Sequence, residues 1–248
     1  MTFTLNDDQR MLKETARDFF REQAPVTRLP KTSSWQSAVT LAPRALVLLR
    51  PARERRPEGS ARWLDAREVA LHHHVAVGDQ GDVERLARII TGRAVELVLS
   101  GGGVRGFAHI GVLRALEEAK LPVDLVGGAS IGALIAGLRA MEWAPARMHE
   151  VCKGIVTGKR SVTDPTFPFV SVFAARRGSR AVRQMCDGWN IEDLPLGYFA
   201  ISADLCRAEE VVHRRGPLWL AMRASGSLPG VFPPVVTDDR CLVDGGVL

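Results

Sequence analysis

The chain has 248 residues, of which 46% are hydrophobic and 25% are charged, so it is long enough for one substantial domain with an appendage and has a globular composition. Its net charge of +5 favours anionic surfaces such as phospholipid headgroups, whereas few aromatic residues and no base-reading motif argue against nucleic acid as a partner. Four scattered cysteines without a C-x-x-C pair argue against a disulfide framework or a zinc site.

No secretory leader or membrane span is predicted. Asp7, Asp8 and Arg10 come too early for a leader, and no apolar h-region follows them. No stretch reaches the roughly 18 uninterrupted apolar residues that a membrane span needs. We therefore expect a cytoplasmic protein that makes at most peripheral contact with a membrane.

The first 30 residues form a segment of their own. Residues 1–23 are predicted to form an amphipathic helix that Asn6 can cap and that Pro25 ends. One interpretation is a helix that binds a membrane or a partner, and the other is a docking arm or a gene-fusion remnant. The second is favoured, because the polar face is acidic near its start, unlike that of basic membrane helices. Residues 4–10 resemble the opening helix of acyl-CoA dehydrogenases, but nothing downstream offers a flavin site.

Residues 31–93 are predicted to be a linker and a small subdomain. Residues 45–49 have the composition of a strand. Residues 50–62 are rich in arginine and contain proline and glycine, so an exposed loop is expected there. Asp82 is expected to cap a helix that ends at Ile90.

Three consecutive histidines, His72 to His74, suggest a metal site at first sight. Neighbouring side chains of a strand, however, point to opposite faces of the sheet. No carboxylate or cysteine stands at ligand spacing from them, so a structural role is expected.

A strand, a glycine turn and a helix are predicted next. Residues 95–99 are a short apolar run of strand character, and Gly101, Gly102 and Gly103 follow at once, where the backbone must turn tightly. Apolar residues recur at helical spacing from Phe107 onward.

A second strand and helix follow, over residues 123–126 and 133–141. Between them, Gly128-x-Ser130-x-Gly132 has the form of a nucleophile elbow, in which flanking glycines let backbone pass close to a strained serine. The resulting βαβα unit predicts a parallel sheet with right-handed crossovers.

Two interpretations compete for the glycine turn. Gly101-x-Gly103-x-x-Gly106 fits a dinucleotide-binding fingerprint, and Asp124 lies 18 residues past Gly106, close to where a ribose-binding acid would sit. A dinucleotide-binding fold has no use for a serine displayed as Ser130 is. In an acyl hydrolase, the N–H groups of the turn could instead hold the oxyanion of a tetrahedral intermediate.

A serine hydrolase needs a base, and Asp244 is the late acidic candidate. Only four residues follow it, so no later histidine can complete a triad in the order Ser, Asp, His. The sequence therefore indicates a Ser130–Asp244 dyad or a triad with an earlier histidine, for which His213 is the serious rival. His109 is expected to pack or cap the helix after the glycine turn.

Four motifs follow one another along the second half of the chain. They are Gly101-Gly102-Gly103-Val104-Arg105-Gly106, Gly128-Ala129-Ser130-Ile131-Gly132, Ala224-Ser225-Gly226-Ser227-Leu228-Pro229-Gly230-Val231-Phe232-Pro233-Pro234 and Asp244-Gly245-Gly246. Their order is that of the blocks of the patatin-like phospholipase family, which the chain resembles from about Ala94 to its end. Residues 72–75 and 82–88 resemble the stretch that the neuropathy target esterase branch carries before its catalytic domain.

This resemblance implies a three-layer α/β/α sandwich with a mostly parallel central sheet over residues 94–248. It implies Ser130 as nucleophile and Asp244, expected to be partly desolvated, as its base. Phospholipids or lysophospholipids are the implied substrates, with no metal or other cofactor. Arg105 is expected to brace the oxyanion loop by hydrogen bonds to carbonyls. The implied members of that loop are Gly101, Gly102, Gly103, Val104, Arg105 and Gly106.

The chain departs from the family pattern at its end, because members of the family continue after the Asp-Gly-Gly block with an Asn-Asn-Leu-Pro-like stretch and a further helix. A domain shortened at its C-terminus is therefore expected. An inactive fragment stays an alternative to an active hydrolase, and a nucleotide-binding module is a further one. Residues 164–173, apolar and broken by prolines, are expected to line an acyl-chain site, contact a bilayer or pack in the core.

Overall fold

The computed structural model describes residues 26–28, 37–41, 45–65, 69, 71–157, 164, 171–237 and 239–247. The helix predicted over residues 1–23 and most of the segment 164–173 lie outside these ranges. The chain divides into two compact units, Met1–Val95 and Glu96–Leu248, and the predicted start of the catalytic domain at residue 94 lies two residues before this division.

The first unit contains a four-stranded sheet in the order β1-β2-β3-β4. Strands β1, β2 and β3 pair antiparallel, and β3 pairs parallel with β4. Helix α1 (Ala61–Asp65) contributes Trp63 and Leu64 to a small core with Leu46 and Leu48. Helix α2 spans Gln80–Ile90. The strand bounds are Val26–Arg28, Ser37–Leu41, Ala45–Arg50 and Leu71–Ala76, so the predicted strand at residues 45–49 is confirmed, and the three histidines lie in β4.

One prediction for this unit holds only in part, and another is wrong. Residues 51–60 form a loop in which residues 53–55 are exposed, as predicted. Arg50, however, is the last residue of β3 and is only 2% exposed, because its Nη2 lies 3.3 Å from Asp82 Oδ2. Asp82 also pairs with Arg85 at 2.8 Å and accepts a hydrogen bond from Ala76 N at 2.8 Å. With its carboxylate occupied in this way, Asp82 does not cap α2. The cap is Asp79, whose Oδ1 accepts a hydrogen bond from Asp82 N at 2.8 Å.

The second unit is an α/β sandwich around a six-stranded sheet, in which β5 pairs with β6, β6 with β7, β7 with β8 and with β10, and β10 with β9. Strands β5, β6 and β7 are mutually parallel, and β8 and β10 run antiparallel to β7. The predicted parallel sheet is therefore found in its three-stranded centre, and the sheet as a whole is mixed. Its strands are Glu96–Leu99, Leu125–Ala129, Gly197–Asp204, Glu209–His213, Val235–Val236 and Cys241–Asp244.

The described part of this unit contains five helices, of which α4 (Ile131–Ala140) and α7 (Leu218–Ser225) pack most extensively on the sheet. Helix α4 has glycine and alanine on much of its surface and is the most buried, since it packs on β5, β6 and β7. Side chains of α4 such as Ile135 and Leu138 form the core with Leu113, Val126 and Leu218. The helices are α3 (Phe107–Glu118), α4 (Ile131–Ala140), α5 (Pro145–Thr157), α6 (Arg176–Cys186) and α7 (Leu218–Ser225).

The second predicted strand is displaced from its predicted position. It was expected over residues 123–126 but begins at Leu125 and continues through Gly127 and Gly128 to Ala129. Glycine is required inside this strand, because a Cβ at Gly127 would lie 2.2 Å from Phe199 Cε1. The aromatic ring of β7 thus takes the space of the missing side chain.

In the part of the chain that the structure describes, no helix is both long and apolar enough to cross a membrane.

Candidate active site

Ser130 stands directly after β6 in a strained conformation, with φ 56° and ψ −130°. The turn is possible because glycine stands two residues before and two residues after Ser130. A Cβ at Gly128 would lie 2.2 Å from Leu99 O, and a Cβ at Gly132 would lie 2.1 Å from the same oxygen. The end of β5 therefore passes against the turn at a distance that no larger residue permits, as a nucleophile elbow requires.

The glycine loop lies beside this serine. A Cβ at Gly101 would lie 3.2 Å from Ser130 Cβ and 3.9 Å from Ser130 Oγ. Gly102 (φ 152°) and Gly103 (φ 57°) adopt positive φ angles that L side chains rarely take. Among the described residues, no acceptor takes a hydrogen bond from the N–H groups of Gly102, Gly103 or Val104, and all three residues are exposed. These donors precede α3 and can serve an anionic oxygen.

Two charged or titratable side chains near the loop have different surroundings. Arg105 is exposed, and its guanidinium makes no hydrogen bond to a residue that the structure describes, so the predicted bracing of the loop finds no support. His109 instead holds the loop, because its Nε2 lies 2.9 Å from Ser100 O, to which it donates a hydrogen bond. This contact connects α3 to the residue just before the three glycines.

Asp244 is brought to the elbow by the register of the sheet. On one edge of β7, β8 pairs with residues Ala200 to Asp204. Strands β6 and β10 also pair with residues of this stretch, so both must lie on the opposite edge of β7. The last pair of β6 is Ala129 with Ile201, and the pair next to it on that edge is Asp244 of β10 with Ser202. Because β6 is parallel and β10 antiparallel to β7, their carboxyl ends face each other. Ser130 and Asp244 stand at those two ends.

The carboxyl group of Asp244 is buried, as expected, with the residue 3% exposed. Its Oδ1 accepts a hydrogen bond from Gly246 N at 2.9 Å. Glycine follows Asp244 because a Cβ at Gly245 would lie 2.6 Å from Ile201 O. Ser130 Oγ is not hydrogen-bonded to this carboxylate in the structure. Catalytic hydrogen bonds often shorten only when the substrate binds.

His213, the rival base, lies on β8, on the opposite edge of β7 from β6 and β10. Its Nε2 lies 2.7 Å from Ser202 Oγ. Burial lowers the pKa of His213, and the nearby charge of Arg240 lowers it further. The structure therefore pairs this histidine with Ser202 and not with Ser130.

The dinucleotide interpretation of the glycine turn is not supported. Asp124, the candidate ribose ligand, precedes β6, whose first residue Leu125 pairs with Glu96 at the start of β5. The glycine turn follows the other end of β5. A ribose ligand would have to lie near that turn, so Asp124 is at the wrong end of its strand, and it is only 1% exposed.

An apolar cavity of about 250 Å³ opens beside Ser130. Cys152 is part of its wall, and burial raises the pKa of this thiol to about 11, so it stays protonated and unreactive. Carbon and sulfur atoms dominate the lining, which suits a hydrocarbon chain. The other apolar side chains include Phe107, Leu134, Val182, Met185, Met222 and Phe232.

Two residues beside the site were not singled out from the sequence, although both lie in or next to the third family-like block. Ser225 Oγ accepts a hydrogen bond from Ser130 N at 2.8 Å, and Arg223 lines the cavity. The only sequence signal for them is the position of that block, because Ser225 is 95 residues from Ser130 in the chain.

Comparison with known proteins gives a family match over most of this unit. The model of the family described as patatin-like phospholipase matches residues 97–248. Patatin-like phospholipase domain-containing protein 6 of Homo sapiens is 43% identical over 173 residues, which cover 67% of this chain and 13% of that protein. Neuropathy target esterase sws of Drosophila melanogaster is 36% identical over 234 residues, which cover 81% of this chain and 16% of that protein.

A more distant solved structure supports the fold alone. The crystal structure of VipD from Legionella pneumophila superposes with a TM-score of 0.50 at 14% identity and covers 62% of this chain and 46% of that chain. The family match, the sequence relatives and the α/β sandwich with its glycine loop and serine elbow lead to the same assignment: the chain belongs to the patatin-like phospholipase family, in its neuropathy target esterase-like branch.

Proposed function

We propose that the chain is a serine ester hydrolase that releases fatty acid from phospholipids or lysophospholipids through a Ser130–Asp244 dyad. The observation that carries this proposal is the register of β7, which brings the carboxyl ends of β6 and β10 together on one edge. The curated relatives are named as phospholipases and esterases, but this chain spans less than a fifth of their length. The proposed activity and substrate are therefore argued from the geometry of the site and not from the names of the relatives.

In the proposed reaction, Asp244 accepts the proton of Ser130 Oγ as that oxygen bonds to the ester carbonyl carbon. The protonated Asp244 then donates the proton to the leaving alkoxide oxygen as the ester C–O bond breaks. Water attacks the acyl-enzyme, with Asp244 accepting its proton. That proton returns to Ser130 Oγ as the fatty acid leaves.

The oxyanion of each tetrahedral intermediate is held by N–H groups of the glycine loop, for which Gly102, Gly103 and Val104 are the donors with no other acceptor among the described residues. Ser130 N is not available for this purpose, because it donates to Ser225 Oγ. Donors that are already oriented before the reaction stabilise the developing charge most effectively.

The acyl chain occupies the apolar cavity. Its volume of about 250 Å³ lies just below the usual range for small-molecule sites, roughly 300–1,000 Å³, which suits one acyl chain better than two. Helix α6 forms one wall of the cavity, and Asp164 Oδ2 anchors its start by accepting hydrogen bonds from Arg176 N and Arg177 N at 2.9 and 3.2 Å.

Peripheral contact with an anionic membrane at the cytoplasmic face is the proposed way of reaching the substrate. Arg176, Arg180 and Arg183 recur at i, i+4 and i+7 on the exposed face of α6, and the helix contains no acidic residue. The opposite face of α6 lines the cavity. Cationic side chains near such a surface each contribute about 1 kcal/mol to binding of anionic lipid.

A fluorophosphonate probe tests the hydrolase proposal, since it labels an activated serine covalently. Labelling of the purified chain that is lost in Ser130→Ala and reduced in Asp244→Asn is the expected result. Absence of labelling in a chain shown to be folded by circular dichroism would instead establish a catalytically inactive member of the family.

A further inference from the structure

The end of α7 is hydrogen-bonded to the backbone of both proposed catalytic residues. We call residues 223–227, which include the last turn of this helix and the two residues after it, the bridging turn. Ser225 and Ser227 within it are both fully buried. One contacts the backbone of Ser130 and the other contacts the backbone of Asp244.

Ser225 holds the nucleophile elbow. Its Oγ accepts a hydrogen bond from Ser130 N at 2.8 Å and donates one to Ile201 O at 2.6 Å. The hydroxyl therefore has a defined orientation, with its proton on the β7 side and a lone pair on the elbow side. It gives the N–H of a strained residue an acceptor at the point where the strand ends.

Ser227 holds the strand that ends in Asp244. Its carbonyl oxygen accepts a hydrogen bond from Asp244 N at 3.0 Å. Its Oγ donates to Arg223 O at 2.7 Å and accepts a hydrogen bond from Arg223 Nη1. The conformation of Ser227 therefore depends on the Arg223 guanidinium.

Arg223 connects the bridging turn to two further segments. Its Nε donates to Ser179 Oγ of α6 at 3.0 Å, and its Nη2 donates to Pro233 O at 2.9 Å. All three side-chain bonds go to neutral oxygens, and burial lowers the pKa of the guanidinium while Asp164 opposes that effect. A planar group with donors in fixed directions suits this arrangement, which a lysine cannot reproduce.

The segments that contain Ser130 and Asp244 are also connected through Ile201 of β7. Ser225 Oγ donates to its carbonyl oxygen, and the backbone of Gly245 passes so close to that oxygen that a Cβ there would lie 2.6 Å away. One carbonyl of β7 thus contacts both the group that holds Ser130 and the residue that follows Asp244.

We propose that the bridging turn sets the relative position of Ser130 and Asp244, with Ser225 as the positioning residue for the nucleophile and Arg223, through Ser227, as the positioning residue for the base. Neither residue exchanges a proton with the substrate. Their role rests on the proposed hydrolase function, because a fixed separation of the two side chains matters only if they act together.

Ser225→Ala tests whether Ser225 positions the nucleophile Ser130, and Tyr198→Phe is its matched control. Tyr198 is buried and its hydroxyl donates to Ala133 O at 3.0 Å, so each substitution removes one buried hydroxyl that bonds to a carbonyl. We expect kcat to fall about 10- to 100-fold in Ser225→Ala with KM nearly unchanged, since small displacements of a reacting group have effects of this size. Tyr198→Phe should keep kcat within about twofold of the unaltered chain.

Arg223→Lys and Arg223→Met test whether Arg223, through Ser227, positions the base Asp244. Both lose the three-way set of hydrogen bonds, but only the first keeps the charge. We expect kcat to fall about tenfold or more in both. If charge alone mattered, the lysine would restore kcat, and that result would overturn the role given to Arg223.

Hydrogen exchange separates this proposal from the proposed hydrolase function, because it needs no activity. Ser225→Ala should speed amide exchange in peptides covering residues 128–134, and Arg223→Met should do so in peptides covering residues 241–247. Tyr198→Phe should change neither the exchange at Ser130 nor that at Asp244. Unchanged exchange at these two residues would overturn the positioning roles even in an active enzyme. Faster exchange in a chain that no probe labels would show that the bridging turn holds the two segments and would refute the hydrolase function alone.

Discussion

The carbonyl oxygen of Leu99 lies only 2.1 Å from the place where a Cβ of Gly132 would stand. The end of β5 and the start of α4 are thereby in backbone contact, with Ser130 exposed between them. A residue larger than glycine at position 132 would have to move backbone atoms, which do not have the freedom of a flexible side chain.

Gly132→Ala should therefore unfold the elbow locally and abolish labelling of Ser130 by a fluorophosphonate. Forcing extra atoms into a packed site costs roughly 1–3 kcal/mol of unfolding free energy, so a lower melting temperature is expected. Gly111→Ala in α3 is the control, because a Cβ there meets nothing within 4 Å. It should leave labelling intact and stabilise the helix by up to about 1 kcal/mol. A Gly132→Ala chain with full activity would refute the close-packed elbow.

The dyad predicts a specific ranking of substitutions in ester hydrolysis. Ser130→Ala should reduce kcat by at least about 10⁴-fold and Asp244→Asn by about 10³- to 10⁴-fold, in the range of other serine hydrolases. His213→Ala should reduce kcat by less than about threefold, because His213 bonds to Ser202. Loss of the hydrogen bond between His213 and Ser202 should lower the unfolding free energy by about 1 kcal/mol. Inactivity of a folded His213→Ala chain would revive the triad.

The oxyanion role of the loop predicts that Gly102→Ala lowers kcat and not the binding of substrate. Gly102 has φ 152° and ψ 9°, which a residue with a Cβ avoids, so alanine should turn the N–H groups of Gly102 and Gly103 away from the oxyanion. Loss of one such donor costs about 10²- to 10³-fold in kcat. The measurement is kcat and KM for a soluble ester, and a change confined to KM would contradict the oxyanion role.

His73 should make the chain less stable in acid. Burial, together with the charges of His72 and Arg85, lowers the pKa of His73 from 6.5 to about 4. Between these two values the unfolded chain binds the proton and the folded chain does not, so the stabilisation present above pH 6.5 is lost as the pH falls towards 4. The difference of about 2.5 pKa units corresponds to about 3 kcal/mol of unfolding free energy.

Urea unfolding of the whole chain at pH 7 and pH 4 measures this effect. His73→Leu should remove about 3 kcal/mol of the pH dependence. His149→Gln, which replaces an exposed histidine, serves as the control. If the unfolding free energy changed equally between pH 7 and pH 4 in the original chain and in His73→Leu, His73 would not contribute to the pH dependence of stability.

The cysteines should differ strongly in reactivity. Burial raises the pKa of Cys152 to about 11 and that of Cys186 to about 12, whereas Cys206 is exposed. Because the thiolate is the reactive form, a maleimide at neutral pH should label Cys206 first and the two buried thiols only after denaturation. Mass spectrometry of the labelled peptides gives the order. Early labelling of Cys152 would show that the cavity wall opens.

Much of the second unit follows from local sequence. The glycine turn after β5, the helix from Phe107 and the serine elbow could all be predicted, because each depends on sterics within a few residues. The bounds of β6 were less well predicted, since glycines at positions 127 and 128 indicate a break in a strand unless the packing of Phe199 and Leu99 against them is known.

The sequence by itself determined which residue types the chain offers for catalysis and the turns that display them. Only the tertiary structure decided which of them meet. The register of β7 places the end of β6, where Ser130 stands, next to the end of β10, where Asp244 stands. His213 lies on the other edge of β7 and bonds to Ser202. Asp124 precedes β6 at the end of the sheet away from the glycine turn. The contact of Ser225 with Ser130 depends on the docking of α7 against the sheet. Such pairings join residues far apart in the chain, and no local preference specifies them, because the packing of the whole sheet selects the register.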